Sequence, residues 1–201
     1  RPGRYLFGAS VHPYRPDAVA AVREVFAAGA CLLKWLPLHQ NIDIEDPRTI
    51  AVLRCCAEIG LPILVHYNAE FTLTTNHPEQ VPLSPLLGAL RRLRAEGSMP
   101  TTIVAHVATP VTSWGDSEPY SQLVEALTGE FADAPLYADI SALTTIGKIA
   151  FFREMAERQE LHARLLFGTD FPVPAALWRI RDLLRREYRP TLANPSWPQR
   201  V

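Results

Sequence analysis

The chain has 201 residues, 48% of them hydrophobic, with 20 basic and 21 acidic side chains and a formal charge of -1. This supports one domain, 1–201, with a sizeable core and excludes a disordered or fibrous chain. The balanced charge, with no long run of either sign, argues against nucleic acid or an anionic membrane as partner.

In chain order, short apolar runs predict strands over 5–11, 31–35, 62–66, 102–106, 136–140 and 164–168. Between them, apolar residues at helical spacing predict helices over 16–28, 47–59, 84–96, 118–130, 147–159 and 175–187, as in Ile50, Leu53, Ala57 or Leu86, Leu87, Leu90, Leu93. Gly29 and Gly60 stand where helices should stop, and Asp46-Pro47 where one should start. Prolines after strand ends, such as Pro13, Pro37 and Pro172, are expected to stiffen loops. Strand and helix alternate throughout, which implies a parallel α/β sheet with right-handed crossovers. Cys31, Cys55 and Cys56 form no Cys-x-x-Cys pair, so a reducing, cytoplasmic setting is expected. No apolar stretch has the length of a signal core or a membrane span.

Two strands end in histidine, at His66 and His106, and a third ends in aspartate, at Asp170. The carboxyl ends of parallel strands face the ligand crevice, so these three side chains are expected to converge. Two imidazoles and a carboxylate suit Zn2+ or a similar divalent cation. Each alone has a plainer reading: a strand-end histidine bonded to backbone, or an aspartate capping the next helix. Lys34 interrupts an apolar strand, either snorkelling to its end or lying at the same mouth. His12 also ends a strand and is placed toward the cavity. Asn68 and Glu70 follow His66, and Asp139 ends the fifth strand; these are candidates for contacts to a substrate or to the metal's ligands. His39, His77 and His162 read as surface residues. Trp35 and Trp114 could line a pocket or simply pack. The sequence has no Gly-x-Gly-x-x-Gly, Walker loop or Gly-x-Ser-x-Gly elbow, so no nucleotide cofactor is expected.

Leu-Leu-Lys34-Trp, Gly60-Leu-Pro-Ile-Leu-Val-His66, Ile-Val-Ala-His106 and Phe-Gly-Thr-Asp170-Phe-Pro, in this order, resemble the amidohydrolase superfamily. The closest likeness is to its branch of predicted metal-dependent TIM-barrel hydrolases, which also holds lactonases and decarboxylases. The resemblance covers nearly the whole chain and implies a (β/α)8 barrel. It makes His66 a metal ligand and Asp170 a ligand and the acid/base for the attacking water. It makes His106 a second-metal ligand or a catalytic residue, and places Lys34 where some members carry a carboxylated, metal-bridging lysine. One or two divalent ions, zinc foremost, follow from it. The family's His-x-His pair is absent from 1–201. Six strands are visible where the barrel needs eight and roughly 250 residues, so two βα units are expected before Arg1.

The expected activity is hydrolysis of an ester, lactone or amide, a small-molecule substrate, by a metal-activated water. Decarboxylation on the same site is the nearest variant. A TatD-type deoxyribonuclease would carry glutamate at the place of Lys34, and a non-catalytic barrel remnant is the third alternative. Open sheet edges point to a homo-oligomer.

Overall fold

Along the four inner strands, buried residues alternate with half-buried ones, and this alternation gives the sheet two unlike faces. The computed structural model describes residues 5–68 and 82–173. They form a six-stranded parallel sheet in sequential order: β1 (Phe7–Ala9), β2 (Ala30–Trp35), β3 (Ile63–Val65), β4 (Thr102–Val104), β5 (Leu136–Asp139) and β6 (Leu165–Leu166). One row of the register runs Lys34, Leu64, Ile103, Tyr137, all half-buried. The rows beside it, Leu33, Ile63, Thr102, Leu136 and Trp35, Val65, Val104, Ala138, are completely buried and form the sheet's side of the core. In a closed barrel the Lys34 row would line the interior.

The crossovers carry α1 (Ala18–Ala27), a short α2 (Pro37–Gln40), α3 (Pro47–Ile59), α4 (Ser84–Ala95), α5 (Glu118–Thr128) and α6 (Ile149–Glu157). Their inward stripes, among them Val22, Ile50, Leu53, Leu86, Leu90, Leu123 and Leu127, share the core cluster with the buried strand rows. The predicted punctuation is found. Asp46 caps α3 by accepting from the Arg48 N–H at 2.8 Å, Pro47 follows it, and Gly60 ends the helix at φ 71°. Exposed pairs such as Arg54–Glu96 and Arg94–Asp133 tie neighbouring crossovers, each contributing at most about 1 kcal/mol.

Two expectations shift and one holds. Pro37 does not simply stiffen a loop but opens α2, where its missing N–H costs nothing. The fourth strand stops at Val104, two residues before His106, because the chain turns left-handed there. The third strand's ladder does reach its histidine: the His66 N–H donates to the Trp35 carbonyl at 2.9 Å. The predicted helix 175–187 lies outside the described residues. Among the described residues, no helix is long and apolar enough to cross a membrane.

Trp35 fastens β2 to the segment before α1. Its ring is 0% exposed and its Nε1–H donates to the Val11 carbonyl at 2.7 Å. Trp35→Phe removes core volume and takes away that carbonyl's indole donor, so urea unfolding should show a loss of about 2–4 kcal/mol. An unchanged midpoint would contradict this packing.

Candidate functional site

His66, His106 and Asp170 stand at the carboxyl ends of β3, β4 and β6. The His66 and His106 rings make a T-shaped contact with centroids 5.0 Å apart. His106 Nε2 lies 3.8 Å from Asp170 Oδ2. Both histidines are buried, at 3% and 5% exposure, while the Asp170 side chain is 38% exposed. The three residues singled out by strand-end position thus gather at one mouth.

The backbone that presents them is strained. His106, Val107 and Ala108 have φ of 53°, 52° and 51°, three successive left-handed residues without a glycine among them. Such a residue costs roughly 1–2 kcal/mol, and a β-branched one is a genuine outlier. The turn is clamped by Thr109, whose N–H and Oγ1 both donate to the His106 carbonyl, at 3.0 and 2.8 Å. Asn68, Ala142 and Asp170 are also left-handed, at φ 80°, 57° and 53°. The loops leaving β3, β4, β5 and β6 therefore all hold strained residues, a pattern that concentrates at functional sites.

Asp139 and Ser141 support His106 from behind. Asp139 Oδ1 accepts from the His106 N–H at 3.0 Å, the Ser141 N–H at 2.9 Å and the Ser141 hydroxyl at 2.5 Å. His106 Nδ1 lies 3.0 Å from the Ser141 carbonyl oxygen and 2.8 Å from its Oγ. Asp139 therefore holds His106 and Ser141 in place, which is the second of the two places the sequence offered it, a contact to a candidate ligand and not to a substrate. Asn68 joins two loops, its Nδ2 donating to the carbonyls of Ala108 and Asp116, each at 3.2 Å.

The remaining candidates divide. His12 serves the local fold, since Nδ1 accepts from the Tyr14 N–H at 3.2 Å and Nε2 lies 2.8 Å from the Gln40 carbonyl oxygen. His39 is half-buried in α2, its ring centroid 6.4 Å from that of His66, so it is not the surface residue expected. His162 is exposed, as expected. Trp35 packs in the core and Trp114 is 92% exposed, so neither lines the mouth. Glu70 and His77 lie outside the described residues. The sequence pattern did not single out Ser141 or Lys148. Asp139-x-Ser141 is the spacing of an aspartate-initiated turn, a local signal that could have found the serine. Lys148, only 7% exposed, gave none, because its place depends on its segment docking against another loop. The Ser113 N–H donates to the Gly147 carbonyl at 2.9 Å, and a Cβ on Gly147 would stand 3.0 Å from the Val111 carbonyl oxygen.

Burial, first of all, drives the His66 imidazole down to about 2, with the charges of His106, Lys34, Lys148 and His39 adding in that order. His106 is also lowered, again chiefly by burial; Asp139 and Asp170 oppose the shift, and Lys148 and Lys34 reinforce it. Both rings are therefore neutral at pH 7, with the lone pair that metal binding or proton acceptance requires. The donor types suit a divalent cation, but the geometry does not close around one. Among the described residues, no group of three or more His, Cys, Asp or Glu stands where it could hold a metal ion.

A family model described as amidohydrolase matches residues 1–193. The fold is similar to the crystal structure of an uncharacterized TIM-barrel protein from Bordetella bronchiseptica, at 19% identity and TM-score 0.54, covering 89% of this chain and 57% of that one. It is also similar to a structural-genomics crystal structure of an amidohydrolase II, at 16% identity and TM-score 0.50, covering 83% of this chain and 58% of that one. The chain thus spans less than two thirds of these proteins, and the likeness establishes the TIM-barrel fold. No curated protein matches.

Neutral burial of two histidines fixes the sign of the pH response. Unfolded, each titrates near its ordinary value of 6.5; folded, both lie lower, His66 at about 2. The unfolded state binds more protons as pH falls, so this stability is complete above about pH 7 and is lost as pH drops from about 6.5 toward the folded values. The slope is up to about 1.4 kcal/mol per pH unit for each histidine. Urea midpoints of chelator-treated protein should fall between about pH 7.5 and 5, and less steeply in His66→Gln. A flat or rising midpoint would contradict neutral burial.

Proposed function

Because the chain belongs to the amidohydrolase family, we propose that it carries the strand-end site of a hydrolase that adds water to an ester, lactone or amide carbonyl. The observation that carries this reading is the facing pair, His106 Nε2 and Asp170 Oδ2, 3.8 Å apart at the mouth of the strands. Asp170, partly open to solvent, accepts a proton from the attacking water as the new C–O bond forms. It returns that proton to the leaving oxygen or nitrogen as the old bond breaks. His106 orients the water through Nε2. Lys34 and Lys148 add positive charge where the carbonyl oxygen becomes anionic.

A divalent cation, zinc by donor type, would draw on His66, His106 and Asp170 and would supply Lewis-acid activation of the water. Among the described residues these donors do not close into a three-member group. The two ammonium groups acting on both imidazoles also favour a second reading, decarboxylation of an unsaturated or aromatic acid on the same residues. The setting we propose is cytoplasmic, supported by three free cysteines, two of them buried. Leu6 and Phe7 at one sheet edge and Phe167 at the other, 80%, 47% and 83% exposed, favour pairing with a second copy. Sedimentation finding only monomer at micromolar concentration would contradict that pairing.

Asp170→Asn should lower turnover of a responsive ester, lactone or amide by about 10²–10⁴-fold with unchanged circular dichroism. Wild-type rates in that variant would overturn the mechanism. Elemental analysis separates the metal question. His66→Ala should reduce zinc occupancy, and full activity in chelator-treated wild type would remove the cation from the reading while leaving Asp170 in place.

A further inference from the structure

We infer that Ser141, backed by Asp139, is a positioning residue that keeps the His106 proton on Nδ1 and turns the Nε2 lone pair toward Asp170. This rests on the reading of His106 and Asp170 as the working pair, but the proton's position can be read without any turnover.

The geometry argues through donors and acceptors. The Ser141 carbonyl oxygen, 3.0 Å from Nδ1, has no hydrogen to give. The Ser141 hydroxyl has one, and a stronger acceptor takes it: Asp139 Oδ1 at 2.5 Å. Asp139 Oδ1 already accepts from two main-chain N–H groups, so it is the acceptor here too; the hydroxyl hydrogen points at Asp139 and an oxygen lone pair faces Nδ1 at 2.8 Å. Both neighbours of Nδ1 are thus acceptors, and a lone pair on Nδ1 would be repelled by each. The ring must donate there. A ring with a single N–H therefore holds it on Nδ1, and Nε2 is left with the lone pair. Asp170 Oδ2, 3.8 Å away, lies beyond hydrogen-bond distance and does not draw the proton across.

The rest of the local structure serves the same placement. The His106 and Ser141 N–H groups share Asp139 Oδ1, so ring and support are referred to one atom. Gly168, two residues before Asp170, lets the chain beyond β6 pass directly over Ser141, since a Cβ there would stand 3.1 Å from the Ser141 Cβ. The Gly-Thr-Asp motif therefore packs against the residue that sets the tautomer. Without the Ser141 hydroxyl, Nδ1 loses the lone pair that Asp139 turns toward it, and only the carbonyl still favours Nδ1–H.

The test is long-range 1H–15N correlation spectroscopy on the 201-residue chain with 15N-histidine, at neutral pH with chelator, the His106 signals being assigned by their loss in His106→Gln. Wild type should show His106 as the Nδ1–H tautomer. Ser141→Ala should shift its population toward Nε2–H and, in an active enzyme, lower kcat about 10–100-fold with KM little changed, as outer partners of a catalytic imidazole do. Ser141→Thr, which keeps the hydroxyl, should restore both. Wild-type His106 protonated on Nε2 would overturn the inference, and so would Ser141→Ala with a wild-type tautomer and kcat. If Ser141→Ala fails to fold, the wild-type spectrum alone decides where the proton sits. The expected tautomer in a protein that hydrolyses no carbonyl substrate would support this inference and reject the hydrolase reading.

Discussion

One carboxylate oxygen holds the strand ends in register. Asp139 Oδ1 accepts the main-chain N–H of His106, the main-chain N–H of Ser141 and the Ser141 hydroxyl. The chain beyond β4 then follows a left-handed course through His106, Val107 and Ala108, which free peptide units would abandon. The strain is tolerable because the carbonyls along it meet partners, Thr109 at that of His106 and Asn68 at that of Ala108. A regular strand or helix at this point would aim the imidazole elsewhere. The contorted turn and the placed ring are one feature.

Burial sets the chemistry of that ring. An imidazole with two lysine charges acting on it and little water around it stays neutral below its ordinary range, and the sheet arranges this for both His66 and His106. Lys34 acts on them from the half-buried strand row, while Lys148 is carried in by the segment after β5, docked through Gly147 on the segment after β4. Neutral rings beside a partly open carboxylate make a proton-handling site with little further machinery. The same positive surroundings weigh against a tightly held cation unless more acidic donors join in.

The strands and helices were legible because their signals are local: alternating burial in β2 through β5, helical spacing in α3 and α4, and the Asp46-Pro47 and Gly60 ends of α3. Strand-end position also predicted that His66, His106 and Asp170 lie together, since parallel α/β topology puts every such end on one side. What the sequence hid depends on loops meeting loops. His12 looks like a site residue until Tyr14 and Gln40 are seen to occupy both ring nitrogens. His39 looks like a surface residue until α2 folds it toward His66. Lys148 gains its meaning only from its segment's contact with Val111–Ser113, and no periodicity encodes that.

The central claim is that His106 and Asp170 act together on one attacking water at the mouth of a parallel sheet, His106 orienting it and Asp170 taking its proton. A double-mutant cycle on turnover tests it most directly, with His106→Asn, Asp170→Asn and the pair compared in the whole enzyme on one carbonyl substrate. Residues that act as a unit are strongly non-additive, so the double variant should be scarcely slower than the slower single one. Losses that multiply in full would show two independent contributions and contradict the account.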